Sequence, residues 1–136
     1  MTTRELRIGN ILTDGKFDFT IESIEQESVW GDIIECIKIE QIEDCYESGD
    51  YHFNIENIEG IPLTEEWLLK LGFVRFLKYK IYNKESFQIE KHASYKDGYI
   101  FFLDSEGEAP PSIKIKYVHQ LQNLYFALTS EELTIQ

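Results

Sequence analysis

Positive charge is scarce in the first half of this chain. Of 136 residues, positions 1–60 hold four cations, Arg4, Arg7, Lys16 and Lys38, against fifteen Asp and Glu. That half carries −11, and positions 61–136, with nine cations and ten anions, bring the total only to −12. A one-sided field of this kind steers encounters with cationic surfaces and repels nucleic acid. Cysteine is nearly missing as well. Cys36 and Cys45 are the only two, and a reducing compartment favours them as free thiols. No apolar run approaches the length of a membrane span. The opening MTTRELRIGN lacks the apolar core of a signal peptide, so the expected location is the cytoplasm, away from any membrane.

Chemistry-bearing motifs are missing too. There is no Gly-rich phosphate loop, no nucleophile elbow and no His-Glu-x-x-His helix. The carboxylates alternate with apolar residues, as on solvated strand faces, whereas a paired acid and base needs burial to split its pKa values. Asp44, Cys45, Glu47, Asp50 and His52 lie close in sequence. Their spacing matches neither a zinc pattern nor a calcium loop. The expectation is a non-enzyme with no metal and no cofactor.

What is present is ample core material. The apolar fraction is 43% and the aromatic fraction 14%, too much for intrinsic disorder. The length suits a single domain over 1–136, with an acidic β unit at 1–60 and an α-β-β-β-β-α unit at 61–136. In the first, Leu6–Leu12 reads as a strand closed by the Asp14-Gly15 turn. Phe17, Phe19 and Ile21 alternate with Asp18, Thr20 and Glu22 as a half-buried strand, and the alternation slips at Ser23-Ile24 like a bulge. Trp30-Gly31-Asp32 reads as a turn. Ile33–Ile42 follows, with Ile37 and Ile39 on one face and Lys38 and Glu40 on the other. Glu43–Asp50 is a polar loop and Tyr51–Ile58 is extended again. Several short strands with polar turns predict a small barrel-like unit.

The second half opens on a helix over Glu65–Leu71. Thr64 is its N-cap, Glu65 and Glu66 suit the helix dipole, and Leu63 can pack on Leu68. Gly72 sits where a left-handed residue ends the helix, with Phe73 folding back. An antiparallel four-stranded meander is predicted next: Phe73–Tyr82, Phe87–His92, Tyr99–Leu103 after the Asp97-Gly98 hairpin signal, and a strand around Ile113 and Ile115. A closing amphipathic helix, Tyr117–Leu128, aligns Val118, Leu121, Leu124, Tyr125 and Leu128 in an apolar stripe packed on the sheet. The fold class is therefore α+β.

Three stretches together resemble a family. They are Arg7-Ile8-Gly9-Asn10, Ile61-Pro62-Leu63-Thr64-Glu65-Glu66-Trp67-Leu68-Leu69-Lys70-Leu71-Gly72-Phe73, and Tyr117-Val118-His119-Gln120-Leu121-Gln122-Asn123-Leu124-Tyr125-Phe126-Ala127-Leu128-Thr129. The chain is similar to small uncharacterised proteins carried by phages and mobile elements of Bacteroidota, over nearly its whole length. That family has no established activity, so the resemblance implies context only: a modulator of host machinery inside a bacterial cell, anti-CRISPR-type inhibitors among them.

Three surfaces compete for a partner. In one reading the acidic residues Glu22, Glu25, Glu27, Glu35, Glu43, Asp44, Glu47 and Asp50 serve solubility alone. In the sharper reading they stand in for phosphates in a cationic groove of a partner protein, such as a CRISPR nuclease or another nucleic-acid-handling effector. A second surface, Phe76, Lys78, Lys80 and Tyr82 on one strand face, mixes rings and cations as a nucleic-acid platform does, although a net charge of −12 disfavours direct nucleic-acid binding. The third is a helix face without charge: no Asp, Glu, Lys or Arg occurs from Tyr117 to Ser130. There His119, Gln122, Asn123 and Phe126 either meet a neighbouring chain, as in a structural or assembly protein, or pack inside their own domain.

Overall fold

The computed structural model describes residues 1–29, 31–39, 50–76, 78–102 and 112–136, with the backbone alone at Glu27, Ser28, Lys38 and Asp50. The chain divides into two compact units, Met1–Ile61 and Pro62–Gln136. This division falls one residue from the compositional boundary. The class is α+β: two antiparallel sheets, a short helix and a C-terminal helix.

The first unit is one five-stranded sheet. Its strands are β1 (Ile11–Thr13), β2 (Asp18–Ser28), β3 (Gly31–Lys38), β4 (Asp50–Asn54) and β5 (Glu59–Gly60). Their order is β4-β3-β2-β1-β5. Among the described residues β4 and β5 are outer strands that do not pair with each other, so the sheet is open and the expected barrel is not formed. The predicted strand over Leu6–Leu12 shortens to β1 because Asn10 closes a turn before it. The Asn10 Oδ1 accepts the Arg7 N–H at 2.7 Å, and the Gly9 N–H donates to the Ile21 carbonyl at 2.8 Å. The extended run after Tyr51 is likewise broken by a 3-10 turn at Ile55–Asn57, where the Asn54 Oδ1 accepts the Glu56 N–H.

The slip at Ser23-Ile24 is a register shift between Ile21 and Ser23. Glu22 is the extra residue. Before it the odd-numbered Phe19 and Ile21 face the core; after it the even-numbered Ile24 does, opposite Ile34. A bulge thus keeps one apolar face continuous across a change of parity. It also decides β3. Ile34 and Cys36 are fully buried, while Ile33 and Ile37 lie on the other face, so the core face of β3 is the one that carries Ile34 and Cys36. Leu6, Leu12 and Ile58 complete this core. Phe19 meets Phe53 edge-on at 4.8 Å and Tyr51 at 5.2 Å.

In the second unit, α1 (Glu65–Lys70) is bounded by the expected signals. The Thr64 Oγ1 accepts the Trp67 N–H at 3.3 Å. Leu71 is the C-cap and Gly72 follows at φ +88°. The Gly72 N–H donates to Leu69 and the Phe73 N–H to Leu68, at 3.1 and 3.0 Å. These are the two bonds of a Schellman ending. Trp67, Leu68 and Leu71 are buried, as is Leu63.

The sheet that follows has five strands, in the order β10-β9-β8-β7-β6. They are β6 (Val74–Arg75), β7 (Ile81–Lys84), β8 (Phe87–Glu90), β9 (Tyr99–Phe102) and β10 (Ser112–Ile115). The run Phe73–Tyr82 is therefore not one strand. It folds into a hairpin, with Arg75 opposite Tyr82 and the Phe76 N–H bonded to the Ile81 carbonyl at 2.8 Å. Asp97-Gly98 is not a two-residue hairpin either, because positions 91–98 link β8 to β9. Phe73, Phe87, Phe101 and Tyr125 build an aromatic core, with Phe87 stacked on Phe101 at 4.7 Å. Each such pair adds about 0.5–1.5 kcal/mol beyond area burial. Tyr125 belongs to α2 (Val118–Thr129), which these contacts place on the sheet.

Candidate functional site

The acidic set has unequal members. Glu22 occupies the bulge and is exposed. Glu25 and Glu35 share the sheet face opposite the core. Glu35 pairs with Ser23 and Glu25 with Ile33, so the two glutamates are diagonal neighbours, at a separation of roughly 7–8 Å. Glu35 accepts a hydrogen bond from the Ser23 hydroxyl at 3.0 Å, and His52 on β4 lies across from it. Glu27 is in β2, and Asp50 opens β4 in register with Ile37. Glu43, Asp44 and Glu47 lie outside the described residues.

Other carboxylates of this unit have structural work. The Asp14 Oδ1 accepts the N–H groups of Lys16 and Phe17 at 2.8 and 2.7 Å. Desolvation raises the Asp14 pKa, but these backbone bonds outweigh it and hold the carboxyl below its usual value. Asp32 accepts from the Thr3 hydroxyl at 3.1 Å, and Thr3 accepts from the Gln26 amide at 3.0 Å. Sequence reading did not place the Thr3–Asp32 contact, because the two residues are far apart along the chain.

The predicted lysine-aromatic strand face is not formed. Tyr82 is 2% exposed and points into the core, whereas Phe76 is 58% exposed. Lys78 and Lys80 lie in the turn between β6 and β7 and are exposed. The hairpin puts the four residues on no common face. Arg75 is engaged nearby, with Nη1 3.1 Å from Glu65 Oε1. Burial, followed by a hydrogen bond with Glu65, pushes the Tyr82 phenol up to about 12.

The uncharged helix face also differs from a surface. His119 is 3% and Gln122 1% exposed. The Gln122 amide donates to the carbonyl of Leu133 at 3.1 Å, and Leu133 itself is fully buried. The last residues of the chain thus cover this side of α2, and the second of the two sequence readings describes His119 and Gln122. Asn123 is half-buried and Phe126 exposed, so those two alone keep a solvent side. Leu128, expected in the apolar stripe, is exposed.

Among the described residues no group of three His, Cys, Asp or Glu is placed to hold a metal. Asp44, Cys45 and Glu47 of the sequence cluster fall outside them, and His52 is exposed on β4. Cys36 is a buried free thiol. Its pKa is pushed up to about 12 by burial and then by the charges of Glu22 and Glu35. Such a thiol is a poor nucleophile. Among the described residues no helix is long and apolar enough to cross a membrane.

No protein-family model, curated protein or solved structure matches the chain.

Proposed function

We propose that this is a non-enzymatic interaction protein of the kind phages and mobile elements carry, working in the cytoplasm of a bacterial host. Its acidic first unit occupies a cationic, nucleic-acid-binding surface of a partner protein, most concretely a CRISPR nuclease. One observation carries this reading. The charge of −11 over positions 1–60 falls on a unit that is compact by itself, Met1–Ile61. Charge confined to one folded body makes a directional field, and fields of several kT steer a partner of opposite sign. Glu25 and Glu35 stand on an open sheet face of that unit, beside the half-buried Ile33 and Ile37. Carboxylates next to apolar side chains offer a partner both charge and buried area.

The test uses a purified guide-loaded nuclease from a Bacteroidota host. The protein should bind it and slow target cleavage, with an association rate that falls as salt rises. Replacing Glu22, Glu25 and Glu35 by Gln should lower that rate by about tenfold while thermal unfolding stays unchanged. Binding that ignores both salt and this triple substitution sinks the phosphate-mimic mechanism.

A further inference from the structure

We infer that one end of the second sheet binds single-stranded nucleic acid, independently of what the first unit does. The topology carries the argument. Strand β7 begins at Ile81, opposite Glu90 at the end of β8; Glu90 pairs with Ile100, the second residue of β9, and Tyr99, the first, pairs with Ile115 at the end of β10. All four strand ends therefore lie at the same end of the sheet. Lys80 precedes β7, Lys91 follows β8 and Lys116 follows β10. The Lys91 N–H donates to the Lys80 carbonyl at 2.9 Å, so these two lysines extend the ladder as neighbours. From β7 to β10 is three strand spacings, roughly 14–15 Å. Lys78 lies in the adjoining hairpin turn, and Lys96 in the link from β8 to β9. The Lys91 ammonium donates to the Lys96 carbonyl at 2.9 Å, which holds that link close. Among the described residues, the acidic Glu90 ends β8 and Asp97 lies in the link from β8 to β9, while Glu65 is engaged with Arg75.

Two aromatic rings flank the same lysines. Phe76 is 58% and Tyr79 60% exposed, in the hairpin turn that contains Lys78 and Lys80. Rings held open to solvent beside cations are what an unpaired strand needs: stacking faces for bases and ammonium groups for phosphates. A duplex has no free base faces to stack. An acidic protein surface would pair with the lysines and leave both rings without a flat partner. Of the net charge of −12, positions 61–136 carry only −1, so the second unit by itself sets up little repulsion toward a polyanion.

The test is fluorescence anisotropy of labelled oligothymidylate and oligouridylate, about 15 nucleotides long, against the full chain. Binding should appear at low salt. For about four phosphate contacts, log K should fall against log salt with a slope near −3. Replacing Lys78, Lys80 and Lys116 by Gln should weaken binding more than tenfold and remove about two units of that slope. Replacing Phe76 and Tyr79 by Ala should weaken binding about tenfold and leave the slope alone. Lys70→Gln, on α1, should change nothing. All of these side chains are exposed, and an unchanged melting temperature verifies each fold; a Lys→Arg version of the triple variant should restore binding. Absence of binding at low salt overturns the inference, and so does binding indifferent to both sets of substitutions. Self-association in sedimentation velocity that the lysine substitutions abolish, without oligonucleotide binding, would assign this end to a second copy of the chain instead.

Discussion

Tyr125 lies against Phe87 with ring centroids 5.2 Å apart, and its hydroxyl is buried with no hydrogen-bond partner among the described residues. The ring is a keystone of the second core, while the oxygen is a burden on it. A buried hydroxyl left unpaired costs about 1–3 kcal/mol. Tyr125→Phe should therefore leave the fold at least as stable, with a gain of up to about 1 kcal/mol. Tyr125→Ala should cost about 3–5 kcal/mol through the cavity it opens. Urea midpoints of the two variants check both, and a loss with Phe would mean that the hydroxyl has a partner.

Two glycines are expected to resist alanine for different reasons. Gly72 holds φ +88° at the end of α1, so Gly72→Ala should cost about 1 kcal/mol. Gly98 faces the backbone of Ile115 and Lys116, and an added Cβ would overlap the Ile115 carbonyl oxygen. That neighbour is main chain and cannot swing aside. Gly98→Ala should cost more than Gly72→Ala, about 3 kcal/mol. Equal denaturation midpoints for the two would contradict this order.

The Cys36 thiol, raised to about 12 by burial and by Glu22 and Glu35, should not react with iodoacetamide in the native protein at neutral pH. It should react fully in urea, where burial is lost. Peptide mapping separates it from Cys45, which lies outside the described residues. Labelling of Cys36 under native conditions would show that β3 opens.

Alkaline pH should unfold the second unit. Burial raises the phenols of Tyr82, Tyr99 and Tyr125 above their usual 10, Tyr82 to about 12. The folded state keeps protons there that the unfolded chain releases. Stability is thus whole below about pH 10 and declines as pH rises toward 12. Urea midpoints compared at about pH 9 and about pH 11.5 should show the decline. Tyr82→Phe should shift it to higher pH.

What the sequence determined by itself is what local chemistry controls. Thr64 and Gly72 bound α1 because a cap needs only the neighbouring backbone. The slip at Ser23-Ile24 was legible because a bulge breaks a period of two within a few residues. The partition of charge was legible because it is a matter of counting, and the boundary between the units follows it. Tertiary structure decided everything that depends on distant partners. Phe73–Tyr82 alternates well enough for one strand, yet β6 and β7 pair with each other and bury Tyr82 while leaving Phe76 outside. For His119 and Gln122 the sequence left interface and interior both open, until the chain's last residues return and Gln122 bonds the carbonyl of Leu133. Lys80, Lys91 and Lys116 are separated in sequence and come to one end of the sheet only through antiparallel register. A pattern along the chain reports which side of an element is apolar; it does not report which segment arrives to cover it, because that depends on long-range pairing.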